Sequence, residues 1–441
     1  MRRVLVLVIV FAGCVGDNAS NSLLAGTHDS LVRVDPEPAG TNCTAGGVAI
    51  HTGSDVNDDG SLEDSEIAST QYVCNGSTAV RCDSAGTTHT GSVTISSFVD
   101  FAQLAGVSCI DGDLLISTLD ESTLPSLDPR IVTGSVVVAA NDHLTSLAGL
   151  SLQQIGTTFL IQGNSALTDL SALTSLTHIG SIQIVNNNGL IDLVGLLPFT
   201  QLANLLISSN ASLTSLHGLE NVQAFNSLVV KSNSALTSVD GLEQVRKGTV
   251  WEISGNSSLE DISIPALEKL DERLLINTNV ELTSIDLPML VSVAGTFQFD
   301  ADPVLTSITA PHLLLTGSLQ FQDVPSLDTV TMPKLNFATE SVLFINVQKL
   351  VAPELTSLSE IGADLNVDTT NIELFTGLTA LESVGGNMTV NHNNALTGFS
   401  GLSSFTHVGG NLKITSNGVL SSLNAQSFAS SLTIAGSITI N

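Results

Sequence analysis

The chain has 441 residues, with 13 Lys plus Arg against 42 Asp plus Glu and a formal charge of −29. That balance excludes a nucleic-acid binder, which needs clustered cations to meet phosphate, and it argues against a polybasic membrane-surface protein. Only 12% of residues are charged while 43% are apolar, a ratio that a disordered acidic chain does not show.

The chain opens with Arg2-Arg3, an apolar run from Val4 to Phe11, and Ala12-Gly13-Cys14. A basic start, a short apolar core and small residues before a cleavage point make an export signal. The run is far shorter than the roughly 20 residues that span a bilayer. The ending Phe-Ala-Gly-Cys resembles a bacterial lipobox, which implies a signal peptide over 1–13, lipid on Cys14 and a protein anchored to the membrane without crossing it. The alternative is a plain signal peptide with Cys14 left unpaired. The address implied is the bacterial envelope, at the outer membrane or cell surface. Residues 14–35 are polar and aperiodic and read as a flexible tether. Four further cysteines, Cys43, Cys74, Cys82 and Cys109, allow three connectivities. Chain order suggests Cys43–Cys74 and Cys82–Cys109, in a compartment where such bonds persist.

Residues 55–66 read Asp-Val-Asn-Asp-Asp-Gly-Ser-Leu-Glu-Asp-Ser-Glu. The spacing is that of an EF-hand loop. Asp55, Asn57 and Asp59 supply side-chain oxygens, Gly60 the sharp turn, Ser61 its carbonyl, Glu63 a water-mediated contact and Glu66 a bidentate carboxylate. Leu62 is the inward hydrophobe. A structural calcium ion is the cofactor this predicts; the alternative is an acidic, solvated turn. No apolar helices flank the loop, and Cys43 and Cys74 bracket it instead. Residues 36–79 thus form a Cys-framed calcium-loop module, which looks like a small uncharacterised module found behind lipoprotein signals in bacterial surface proteins.

From residue 109 onward the chain repeats. Each unit approximates Gly-x-Leu-x-Ile-x-x-Asn-x-x-Leu-Thr-Ser-Leu-x-Gly-Leu, and a central strand residue recurs every 22–24 positions from Ile116 through Ile161, Ile184 and Ile207 to Ile345 and Ile414. A period of this length means a solenoid whose coils cover one another's apolar edges. The fold class is mainly β, a β-solenoid of about 14 coils over 80–441. The Leu-x-Ile alternation places the mark and the residue two before it inward, and Trp251 falls at such an inward place. Three residues past the mark stands Asn141, Asn164, Asn187, Asn210, Asn233, Asn256, Asn279, Asn393 or Asn417. An amide repeated at one turn can satisfy backbone groups that the bend leaves unpaired, which predicts a buried structural ladder. It lapses at Asp302, Val324, Gln348 and Thr370. Early and late units carry Gly before their last Leu, whereas Pro265, Pro288, Pro311, Pro333 and Pro353 stand in the middle units. This predicts a changed cross-section and a sub-domain joint near 340–360.

Residues 96–106 put Phe98, Phe101, Ala102 and Ala105 on one face of a helix started at Ser97. With Cys82–Cys109, that helix would form an N-terminal cap over 80–109. The far end shows no such lid, which predicts either a covering partner or self-association through the uncapped C-terminal strand.

Together these motifs (Cys82, Ser92-Val, Val99-Asp-Phe, Cys109-Ile-Asp-Gly-Asp-Leu-Leu-Ile and the repeated Leu-Thr-Ser-Leu) resemble the receptor L-domain, a leucine-rich-repeat-like right-handed β-helix. The resemblance implies ligand binding or wall-surface roles and brings no catalytic residues with it.

Outward residues just before the marks include Leu115, Val137, Leu160, Leu206 and Val229. Stacked about 4.8 Å apart they would make a patch on the order of a few hundred Å², a binding face unless another layer covers it. A polysaccharide-active β-helix needs carboxylates on neighbouring coils; Asp300 and Asp368 stand three coils apart, so the reading is not an enzyme. The expected function is a lipid-anchored surface recognition protein for a protein or glycan ligand. An envelope or extracellular-matrix scaffold is the first alternative and a polysaccharide-active enzyme the second.

Overall fold

The computed structural model describes residues 30–37, 47–54, 62–74, 80–82 and 86–441. They fall into two units, divided between Ala79 and Val80.

In the first unit, β1 (Ser30–Glu37), β2 (Gly47–Ser54) and β3 (Ile67–Cys74) form an antiparallel sheet in that order. The sequence pattern places residues 30–35 at the end of a tether, but the structure pairs them. They are strand because Val32 and Val34 sit opposite Thr52 and Ile50 of β2, and a short alternating stretch gains order by pairing rather than by its own propensity.

The second unit is a parallel β-solenoid of about 15 turns. One continuous sheet carries a strand from each coil, such as Leu114–Ser117, His178–Val185, Ala224–Lys231 and Leu365–Thr370. The marks stack in register, Ile161 on Ile184 and Ile184 on Ile207, and all three are fully buried. Each such side chain is worth roughly 1.5–3 kcal/mol of burial. The column begins one coil earlier than the repeat suggested, because Ile95 already pairs beside Ile116. It also runs through Phe344, which pairs with Phe321 and Val367, and not through Ile345. Rings stack along this stretch, Phe299 on Phe321 at 5.4 Å and Phe321 on Phe344 at 5.1 Å. Trp251 is fully buried, edge-on to Phe225 at 6.1 Å.

Two residues past each mark the chain turns through left-handed backbone. Twelve non-glycine residues from Thr118 to Ser416 hold φ between 50° and 59° there, with Gly163 and Gly255 filling the same place in their coils. Such a conformation costs an L residue roughly 1–2 kcal/mol. What offsets it is the next side chain. The Asn187 Oδ1 accepts from the Asn164 backbone and side-chain nitrogens, both at 3.1 Å. The Asn187 Nδ2 donates to the Ile161 carbonyl at 2.9 Å, and its backbone N–H donates to Asn210 Oδ1 at 3.0 Å. Asn141 to Asn279 repeat this arrangement without exposure. Asp302 takes the next place, its Oδ1 accepting from Asn279 N at 2.7 Å and Nδ2 at 3.3 Å. Val324 and Val347 then fill the position with apolar groups, since Gln348 lies one residue off register. The Thr370 backbone N–H and hydroxyl donate to Asn393 Oδ1 at 3.0 and 2.7 Å and restart the ladder.

The glycine and proline corners differ as the sequence implies. Gly218 has φ +118°, and a Cβ there would meet the Leu193 carbonyl oxygen at 2.0 Å, so no side chain fits. In proline coils the same path is a second parallel sheet of Asp261–Ser263, Ser284–Asp286, Ser307–Thr309 and Thr329–Thr331, each strand running into a Pro two residues on. In place of a joint near 340–360, main-sheet pairing runs unbroken from Leu319–Val342 through Val342–Leu365 to Leu365–Met388.

Both ends depart from the regular coil. The N-terminal helix is a 3-10 turn, Phe98–Leu104, that buries Phe101 and Leu104 while Phe98, Ala102 and Ala105 face out. Its start is fixed by the Asp100 carboxylate, which accepts the Ser96 and Ser97 backbone N–H groups at 3.0 and 2.9 Å. Those bonds, the Ser96 one foremost, hold its pKa below the ordinary aspartate range. Cys82 and Cys109 are disulfide-bonded. At the far end, α1 (Ser422–Ser430) interrupts the last coil, with the Ser421 hydroxyl accepting from Asn424 N at 3.2 Å. It buries Ala425 and Ala429 and stacks Phe428 on Phe399 at 4.0 Å, while Ile438 of the last strand, paired with the buried Leu412, is 53% exposed. The chain then pairs Ile440 beside Ile414.

Candidate functional site

Two places carry the sequence-predicted site residues, and each is built by the local pattern. On the solenoid, alternation drives every second side chain of the main sheet outward. Leu115, Val137 and Leu160 pair in register, then Gln183, then Leu206 and Val229, followed by Glu252 and Leu275. All are half-buried. The structure therefore brings the five candidates into one row, interrupted once by Gln183. Further along, the row becomes polar through Gln298 and Gln320, then Leu343, Asn366 and Thr389. Two buried polar atoms of this outward face, Arg273 Nε and Asn366 Oδ1, find no partner within the protein. A buried donor or acceptor left unpaired costs about 1–3 kcal/mol, and both atoms are sealed beneath the surface rather than open to an outside partner.

The row just past the marks is small and polar over much of its length, with Ser117, Gln162, Ser208, Ser254 and Asn277. The slip at Phe344 moves Ile345 into it and Leu343 into the preceding row. Sequence reasoning missed this because Phe344 and Ile345 are both apolar and either could serve as a mark.

In the first unit, the twelve residues 55–66 are the whole connection between β2 and β3. Asp55, Asn57, Asp59 and Ser61 lie outside the described residues, as do Cys14 and Cys43. The closing half is described. Leu62 is buried. The Glu66 backbone donates to the Glu63 carbonyl at 3.0 Å, and the Glu63 backbone donates to Glu66 Oε2 at 3.1 Å, so the residue meant to close the ion site already folds back over its own turn. Arg33 of β1 clamps this turn, donating to the Leu62 carbonyl at 2.8 Å, to Asp64 Oδ1 at 2.5 Å and to Asp35 Oδ2 at 2.9 Å. The hydrogen bond from Arg33 holds the Asp64 carboxyl below its ordinary pKa. This clamp is not legible in the sequence, since Arg33 stands 29 and 31 residues before Leu62 and Asp64. Among the described residues no group of three or more His, Cys, Asp or Glu is arranged to hold a metal, and no helix is long and apolar enough to cross a membrane.

Residues 29–74 match a family described as Domain of unknown function (DUF7151); the match coincides with the sheet of β1, β2 and β3. No curated protein and no solved structure matches the chain.

Proposed function

We propose that this chain is a non-catalytic recognition protein, held at the bacterial surface by lipid on Cys14, that binds a protein or glycan ligand along the outward face of its solenoid. One observation carries the reading: Leu115, Val137, Leu160, Leu206 and Val229 stand in one row of a parallel sheet, half-exposed. The receptor-L-domain-like repeat supports it. The test is a glycan array and a panel of purified envelope proteins probed with the full chain, beside the double variant Leu206→Asp/Val229→Asp. A ligand whose affinity falls at least tenfold in the variant, at unchanged melting temperature, is the expected result. No ligand on either panel, or one held equally by both proteins, rejects it.

The anchor and the ion belong to the same reading. Cys14→Ser should move the protein from the membrane fraction to the medium, and unchanged fractionation removes the anchor. Asp55, Asn57, Asp59, Ser61, Glu63 and Glu66 would hold calcium as a strut between β2 and β3, ordering a small unit with little core of its own. Calorimetric titration of the full chain should show one calcium site that Asp55→Ala abolishes; the absence of binding heat returns the loop to an acidic turn.

A further inference from the structure

From Val138 onward the turns that follow the marks have a constant length, except one. Counting from the mark, the buried leucine that closes the turn stands six positions on at Leu305, Leu327, Leu350 and Leu396, but its counterpart Ile372 stands five positions on. One residue is missing from the turn Thr370-Asn371-Ile372. The turn is drawn in, while those of the coils on either side keep their full length. Between them lies a cleft of about 570 Å³, lined among others by Ser326, Gln348, Lys349, Asn371, His392 and Asn394. Its volume falls within the range of small-molecule sites, about 300–1,000 Å³.

The chemistry of the lining is narrow. Three carboxamides and three hydroxyls line it; the Thr369 and Thr370 hydroxyls donate within the protein, and the carboxamides with Ser326 offer both donor and acceptor positions, which suits the alternating demands of sugar hydroxyls. Pro325 is the sole apolar side chain in the cleft, so a peptide would find no pocket for a hydrophobic anchor. Lys349 is exposed and makes no ion pair among the described residues. The nearby Asp368 is turned to its own neighbours, Oδ1 lying 3.2 Å from His392 Nδ1 and Oδ2 accepting from Asn391 Nδ2 at 3.1 Å. It therefore holds the imidazole with its other nitrogen directed away. On a chain of charge −29, a long-range field repels anions, and an anionic ligand is retained only where a cation meets it directly.

We propose that this notch is a binding site for an acidic saccharide, a uronate-bearing unit whose carboxylate meets Lys349 and whose hydroxyls bond Asn371, Asn394 and Gln348. The site is separate from the outward sheet face, so it stands or falls independently of the ligand proposed there.

The probe is trigalacturonate, titrated against the full chain by calorimetry with a chelator present, so that no divalent ion bridges the two. The methyl-esterified trimer and the variants Lys349→Gln and Asn371→Ala serve as comparisons. Binding of the acid is expected, weakened at least tenfold by esterification and by Lys349→Gln, and severalfold by Asn371→Ala. Binding by the wild-type chain should also weaken as salt is raised. Absence of binding, or equal binding of acid and ester, overturns the proposal. The acid–ester comparison uses the wild-type chain alone, so a variant that failed to fold would not obscure the answer.

Discussion

Asn210→Ala is expected to cost the solenoid about 3–5 kcal/mol, because the buried hydrogen-bonding groups it leaves unmatched each cost about 1–3 kcal/mol. The Asn187 N–H loses its acceptor, Asn210 Oδ1 at 3.0 Å, and the Ile184 carbonyl loses the Nδ2 donor at 2.9 Å. Both sites are sealed from water, since Asn187 and Ile184 are fully buried. The left-handed residue before it, Ser209 at φ 58°, would keep its strain with no amide to offset it. In an array where each coil touches only its neighbours, the damage should remain local. Hydrogen exchange is the direct readout: the amides of Val185 to Lys231 should exchange far faster than those of Ile116 to Ala140. Urea unfolding followed by Trp251 fluorescence should show the midpoint falling. Unchanged exchange in those coils would mean that the ladder is decoration on a fold held by its apolar column alone.

Asp302→Asn is expected to stabilise the protein above neutral pH and to leave it nearly unchanged near pH 4. Asp302 is fully buried, and its Oδ2 has no partner. Each asparagine of the ladder places Nδ2 there and donates to a carbonyl one coil back, as Asn279 does to Ile253 at 3.1 Å. By register the corresponding carbonyl for Asp302 is that of Ile276. A carboxylate would set oxygen against oxygen, whereas a protonated carboxyl would donate as the amide does. Burial accordingly raises the Asp302 pKa to about 7, against two opposing hydrogen bonds from Asn279, with the Asp300 charge raising it further. Asp300 is itself raised by burial and by Asp323. A folded pKa above the unfolded one means that the folded state binds the extra proton. The stabilisation is complete below the unfolded value near 4 and is lost as pH climbs through 7. Over that window the loss is on the order of 4 kcal/mol, at 1.36 kcal/mol per pKa unit. Urea midpoints between pH 4 and 9 should slope downward in the wild type and flatten in the variant. Parallel slopes would show that Asp302 is ionised throughout.

Much of the fold could be read because a solenoid writes its geometry directly into period. Ile161, Ile184 and Ile207 recur at the spacing of one coil, and Asn187 recurs three residues past its mark because one turn shape is used again and again. What escaped reading had either degenerate chemistry or distant partners. Phe344 and Ile345 are equally apolar, so only pairing with Phe321 separates them. The helix α1 carries no amphipathic stripe and is held by a few contacts, Phe428 against Phe399 foremost. Phe98 looks like core on a helical wheel, but the 3-10 turn rotates Leu104 into its place. Residues 30–37 have no repeat to announce them and become strand only beside β2. Of the candidate site, the row of five apolar residues followed from alternation, whereas the notch depended on a single missing residue whose effect appears only between coils.

Every seam between Asn141 and Asn233, all before the proline corners begin, makes the same ladder bonds at nearly the same distances, so at that turn these coils present matching edges. Loss or duplication of one whole period there would bring identical edges together, and the length of the rod can change without a new interface being invented. The region from Asp302 to Thr370 has no such freedom. Its aspartate, two valines and threonine each fit one neighbour only, so a shuffled segment would meet the wrong chemistry on both sides.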